Sequence, residues 1–209
     1  MVSLSISPDA GYRCSVLAIA LLLDYLIGDP WNWLHPVQVI GWWISWVSKV
    51  CLKLFKSSLG LKAAGIVLGT STIVGVGLGA WALVYGAGYL HPLLGFAVES
   101  VLVASGLAGR SLRDAAQDVL TPLKNDDLVM ARQKMALYVG RDTQELDEAG
   151  VLRAVMETVS ENATDGALAP FFYAIFGAIV GTVLPTGSAA LVLAYKAAST
   201  LDSMVGYRR

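Results

Sequence analysis

Residues 63–90, AAGIVLGTSTIVGVGLGAWALVYGAGYL, carry no charged side chain over 28 positions. A helix needs about 20 apolar residues to cross the hydrocarbon core of a bilayer. A second uncharged run covers residues 167–195. The composition agrees: 56% of the 209 residues are hydrophobic, only 15% are charged, and the mean hydropathy is +0.61. Soluble domains carry about 25% charged residues. The chain therefore reads as an all-α, polytopic integral membrane protein forming a single membrane domain.

The charge that exists is concentrated. Residues 110–165 hold 18 of the 31 charged side chains, 7 basic and 11 acidic, and read as a water-facing helical segment. Net charge is −1, which offers no basic surface to nucleic acid. Cys14 and Cys51 are too few for a disulfide framework or a zinc site. The first apolar stretch runs into Asp24 and Gly28-Asp29-Pro30 with no small-residue cleavage pattern, so it is not expected to be a removable leader.

A membrane topology follows. Residues 14–27 form a short membrane helix, stopped by Gly28-Asp29-Pro30. Five of the six tryptophans fall between Trp31 and Trp46, and Val37, Ile40, Ile44 and Val47 share a helical face, so residues 37–50 read as an interfacial helix. Lys49, Lys53, Lys56 and Lys62 precede the long run and put that loop in the cytoplasm. Residues 63–90 and 93–108 then cross out and back, and residues 110–165 lie in the cytoplasm. Residues 167–184 and 188–200 make the last two crossings, with Arg208-Arg209 again inside. Gly65/Gly69 and Gly75/Gly79, in small-xxx-small spacing, are expected to pack closely on a neighbouring helix.

Within residues 110–165, Asn125 or Asp126 is expected to cap a helix running to about Val139, after one that ends at Pro122. Asp142 followed by Glu145 resembles a capping box, and Gly150 interrupts before residues 151–162 resume.

The richest chemistry lies in Glu157-Thr-Val-Ser-Glu161-Asn162-Ala-Thr-Asp165-Gly166. Glu157, Glu161 and Asp165 stand at i, i+4 and i+8, on one helical face, where like charges repel. Arg153 can pair with Glu157. Oxygen ligands of this kind suit Mg²⁺, and a solvated acidic face is the plain alternative. In Gly140-Arg141-Asp142-Thr143, capping explains Gly140 and Asp142 but not Arg141, which could hold a phosphate or a carboxylate bidentately. Asp24, Asp29 and His35 cluster at the end of the first helix, on the face the topology shares with the acidic stripe. Glu99 lies inside a membrane segment, which makes it either a functional group or a hydrogen-bonded packing residue. Lys196 and Asp202 flank the last helix end, and His91 is assigned to the opposite face. Gly75-Val-Gly77-Leu-Gly79-Ala80 matches a dinucleotide fingerprint only in letters, since no strand precedes it.

Four blocks in order resemble one family. They are Asp24-x4-Asp29-Pro30 with His35-Pro36-Val37; Gly140-Arg141-Asp142-Thr143; Glu157-x3-Glu161-Asn162-x2-Asp165-Gly166-x3-Pro170-x-Phe172; and Thr200-Leu201-Asp202-Ser203-Met204-Val205-Gly206-Tyr207. Together they are similar to the CbiB/CobD family of cobalamin biosynthesis, the adenosylcobinamide-phosphate synthases. The resemblance implies a multi-pass inner-membrane enzyme with its active face in the cytoplasm. It would join aminopropanol, or its O-phosphate, to the free carboxylate of adenosylcobyric acid, with ATP as co-substrate and Mg²⁺ as cofactor.

On that reading Glu157, Glu161 and Asp165 hold the metal. Arg141, Asp142, Asn162, Lys196 and Asp202 bind substrate, and Asp29, His35, Glu161 and Asp165 are the catalytic candidates. Family members continue past Gly206-Tyr207 with further helices. The expectation is therefore that more chain, a partner chain or other corrinoid enzymes complete the site, and that these residues alone are inactive. Two alternatives stand beside it: a Mg²⁺-dependent membrane alcohol phosphotransferase, from the partial Asp165-Gly166-x2-Ala169 pattern, and a non-catalytic scaffold or transporter component.

Overall fold

The computed structural model describes residues 10–28, 35–183 and 186–205. Among these the chain is helical without strands: α1 (Ala10–Leu26), α2 (Pro36–Leu54), α3 (Ser58–Leu90), α4 (Pro92–Ala104), α5 (Gly109–Lys124), α6 (Leu128–Met135), α7 (Glu148–Ala163), α8 (Ala169–Val180) and α9 (Ser188–Val205). A single π turn, Thr164–Leu168, joins α7 to α8 without a break.

Side-chain acceptors set most of the helix starts. The His35 ring accepts from the Val37 N–H at 3.3 Å, and His91 accepts from Leu93 at 3.2 Å, each just before a proline at the first helical position. Ser57 caps α3, so that helix begins at Ser58, five residues before the uncharged run. Asp127, rather than Asn125 or Asp126, caps α6 by accepting from Met130 at 2.9 Å. The expected capping box at Asp142 is not used. Asp147 caps α7, accepting from Gly150 at 2.8 Å, and Gly150 sits inside the first turn instead of interrupting the helix. Pro122 is carried within the last turn of α5 and does not end the helix before it.

Among the described residues, three stretches of 33 residues are long and apolar enough to cross a membrane: Ser58–Leu90, Pro92–Lys124 and Glu148–Val180. Each would span about 50 Å if fully helical, well beyond a core of about 30 Å. The last two protrude as α5 and α7, which clamp α6 in a separate core of Val119, Leu123, Ala131, Met135, Val151, Ala154 and Val155. Helices α1 and α9, expected as membrane helices, fall outside that set of spans. They nevertheless supply the centre of the bundle: Val16 and Ala20 of α1 pack with Val103 of α4, Ala174 of α8, and Ala189 and Val192 of α9.

Helix α2 lays Ile40 and Ile44 on Leu68 of α3 and on Ala197 and Leu201 of α9. The glycine expectation is corrected. Gly65, Gly69, Gly75 and Gly79 face open space, because α3 packs through Ala64, Leu68, Thr72 and Ala80 on another face. Close approach occurs instead at the α3–α4 turn, where a Cβ on Gly95 would lie 2.8 Å from the Gly88 Cα.

Candidate functional site

The loop between α6 and α7 folds back so that its Gly140–Arg141 tip faces α7. Thr143, almost fully buried, directs this. Its hydroxyl donates to the Arg132 carbonyl at 3.0 Å, and the Arg132 Nε donates to the Leu146 carbonyl at 2.6 Å. These two bonds tie the arm of the loop that follows its tip back to α6. Asp142 closes the turn around Thr143, accepting from the Gln144 N–H at 2.9 Å. Arg141 then reaches across, and its Nη2 donates to Glu157 Oε2 at 2.6 Å. The expected partner of Glu157 was Arg153, and the structure supplies Arg141 instead.

The cleft formed between loop and helix measures about 480 Å³ and is lined by Tyr138, Val139, Gly140, Arg141, Glu157, Thr158, Glu161 and Asn162. Asn162 turns its amide back onto the Thr158 carbonyl at 2.9 Å. The Tyr138 hydroxyl donates to Asp118 at 3.1 Å. Partial burial, together with that carboxylate, raises its pKa above the ordinary phenol value, so it remains a neutral donor in the physiological range. Two blocks far apart in the sequence thus share one exposed cleft with one guanidinium and two carboxylates.

Asp165 is not among its walls. Consecutive carboxylates at i, i+4 and i+8 climb about 6 Å per step, so the first and third stand about 12 Å apart along the axis. Among the described residues, no three His, Cys, Asp or Glu side chains come close enough to hold one ion together. The single three-carboxylate ligand set is therefore not what this geometry gathers; the cleft offers two carboxylates.

Asp165 belongs to a second convergence, one turn further along. The π turn leaves carbonyls outside the regular ladder, and neighbours take them: Ala108 N–H donates to Gly166 O at 2.8 Å, and the Tyr195 hydroxyl donates to Asp165 O at 3.3 Å. Such turns recur at functional sites. Gly109 begins α5 at the same place, and a Cβ there would lie 2.8 Å from Asp24 Oδ2. Arg110 donates to the Tyr25 and Leu26 carbonyls at 3.0 and 2.8 Å, which seats the end of α1 on the start of α5. The first and third sequence blocks therefore meet here, beside Tyr195 of α9.

The remaining candidates are placed as follows. Asp29 lies outside the described residues. His35 uses Nδ1 as the cap of α2. Lys196 is half-buried on α9, one residue after Tyr195, and Asp202 is exposed near the end of that helix. Glu99 is buried in the wall of a cavity of about 360 Å³, where it accepts from the Ser188 N–H at 3.0 Å and from the Tyr12 hydroxyl at 3.2 Å. It thereby holds the start of α9. Sequence reading missed Thr143, Tyr138, Gly109 and Tyr195. Thr143 lay within a quoted block, but its burial leaves no periodic signal.

The family described as CobD/Cbib protein matches residues 17–209. Cobalamin biosynthesis protein CobD of Synechocystis sp. is 46% identical over 194 residues, which cover 93% of this chain and 56% of that protein. Cobalamin biosynthesis protein CbiB of Salmonella typhi is 44% identical over 191 residues, 91% of this chain and 56% of its own length. CobD of Citrobacter koseri is 44% identical over 194 residues, with shares of 91% and 56%. The chain thus spans about half the length of the curated relatives it matches. No solved structure matches it.

Proposed function

The chain belongs to the CobD/CbiB protein family, and from that membership we propose that it works in cobalamin biosynthesis as part of an amide-forming membrane enzyme. The substrates are adenosylcobyric acid and aminopropanol or its O-phosphate. The free carboxylate takes the terminal phosphoryl group of ATP and releases ADP. The amine then attacks the acyl carbon, phosphate leaves, and the amine gives up a proton. The enzyme sits in the inner membrane, with the lysine-bearing end of the bundle and the α5–α7 body in the cytoplasm, where ATP is available.

The observation that supports this most is the meeting of Arg141 with Glu157, Glu161 and Asn162 in one open cleft. Both partners of the Arg141–Glu157 pair are about half exposed, at 51% and 52%. Exposed pairs contribute about 0–1 kcal/mol. Arg141 can therefore exchange Glu157 for a phosphate at little cost, and its planar fork suits that ligand. The two carboxylates fit Mg²⁺, which takes one or two protein carboxylates and completes its shell with phosphate oxygens and water. When bound there, it would neutralise nucleotide charge. Glu157 and Glu161 would hold it, Asn162 and Asp142 would orient substrate, and Lys196 and Asp202 would contact substrate from α9. Asp165, or His35, accepts the amine proton.

The test uses this chain extended by the remainder of the Synechocystis relative and assayed in membranes. Adenosylcobyric acid labelled with ¹⁸O in its free carboxylate should transfer one ¹⁸O to the released phosphate for each amide formed. Product formation with unlabelled phosphate would contradict the phosphoryl-activated route.

A further inference from the structure

Helix α2 has two stripes that the amide-forming chemistry does not use. Ile40, Ile44, Val47 and Cys51 stand at i, i+4, i+7 and i+11; Ile40 and Ile44 are buried against α3 and α9, and Val47 packs beside them. Trp42, Trp46, Lys49 and Lys53 repeat the same spacing two residues later, about 200° round the helix. That second stripe faces away from the protein: Trp42 is 63% exposed and Trp46 60%. Trp43, 46% exposed, sits beside it with its ring centroid 5.6 Å from that of Trp46. Lys56 and Lys62 continue the charge into the start of α3.

Between positions 36 and 62 there are four lysines and no acidic residue, in a chain of net charge −1. None of the four makes an ion pair among the described residues. Within the described residues this charge has no carboxylate partner and is open to an external anion. The aromatic groups precede the lysines along one outward stripe, which matches the depth profile of a lipid surface: indole rings at headgroup level, ammonium groups at the phosphates.

We propose that the outward stripe of α2, with Lys56 and Lys62, is a binding site for the headgroups of anionic phospholipids. Clusters of four or more lysines beside a membrane helix draw anionic lipid. The docked stripe of isoleucines holds α2 rigidly against the bundle, so the lysines are presented together. A neutral bilayer satisfies the tryptophans alone; an anionic one satisfies both halves of the stripe.

The experiment is intrinsic tryptophan fluorescence of this chain in detergent micelles, since five of the six tryptophans lie between Trp31 and Trp46. Micelles are doped with brominated phosphatidylglycerol or brominated phosphatidylcholine, and quenching is measured against mole fraction. At about 50 mM salt, half-maximal quenching should need at least roughly fivefold less phosphatidylglycerol than phosphatidylcholine. The preference should shrink towards one at about 0.5 M salt. The exposed triple variant K49Q/K53Q/K56Q should lose it, and the matching lysine-to-arginine triple should keep it. Equal quenching by the two lipids would overturn the proposal and leave the stripe to an acidic protein segment. A preference that survives the glutamine triple would overturn it as well.

Discussion

Arg141 and Glu157 meet at 2.6 Å although a loop and two turns of helix separate them in the chain. The contact exists because Thr143 and Leu146, just beyond the tip, are both bound back to Arg132 of α6. It brings the second and third sequence blocks to a common cleft and leaves a half-exposed ion pair in its wall.

Because that pair is half exposed, its removal should hardly affect stability. Arg141→Ala is expected to change unfolding free energy by less than about 1 kcal/mol, read by thermal unfolding in detergent. The same change in the extended protein should lower amide formation by at least tenfold. Arg141→Lys keeps charge but loses the planar fork and should not restore it.

Thr143→Val tests the loop anchor. The substitution preserves shape, deletes the hydroxyl and leaves the Arg132 carbonyl without that donor, at a cost of about 1–3 kcal/mol. Its specific effect should appear at the tip: the apparent KM for ATP rises while the α5–α7 core keeps its protection. Hydrogen exchange over residues 136–147 would show the loosening, which should be confined to that segment.

In the bundle, Arg13 donates from Nη1 to the Ala178 carbonyl at 2.7 Å and from Nη2 to the Gly181 carbonyl. It closes the end of α8 as Glu99 holds the start of α9. Arg13→Met should therefore destabilise the α8–α9 hairpin by about 2–5 kcal/mol, since one buried and one part-buried carbonyl lose charged donors. Denaturant titration in mixed micelles measures it. A loss within experimental error would contradict the clamp.

Gly95 provides a steric test. A Cβ there would lie 2.8 Å from the Gly88 Cα, backbone against backbone, so Gly95→Ala should cost about 1–3 kcal/mol. Gly69→Ala faces open space and should be neutral or slightly stabilising.

The membrane character was legible because an uncharged run of 28 residues has few other uses. Individual contacts were less so. The i, i+4, i+8 spacing of Glu157, Glu161 and Asp165 shows a shared face but hides the axial climb that keeps three carboxylates from one ion. Asp142 and Asp147 carry equivalent capping chemistry, and only the tertiary pull of Thr143 decides that α7 starts after the second. Arg153 was the nearest base to Glu157 along the helix, whereas the pairing that formed crosses a loop, which periodicity does not register. The glycine pairs of α3 fit the small-xxx-small spacing, yet the packing face was fixed by the stripe Ala64, Leu68, Thr72 and Ala80. The Asp24–Gly109 and Gly166–Ala108 approaches depend on how α1, α4 and α8 pack, and that arrangement is a property of the whole bundle.

On the proposed function, substrate carboxylate is activated in the cleft between the Gly140–Arg141 tip and α7. Glu161→Gln in the extended protein tests it most directly, since the change keeps size and helix and removes one like charge from the stripe. Conversion of adenosylcobyric acid with ATP, Mg²⁺ and aminopropanol phosphate should fall by at least about 100-fold. Membrane level and thermal stability should stay equal to or above those of the parent. Near-normal conversion by the Gln variant at equal membrane level would contradict the account and return the acidic stripe to a solvated helix face.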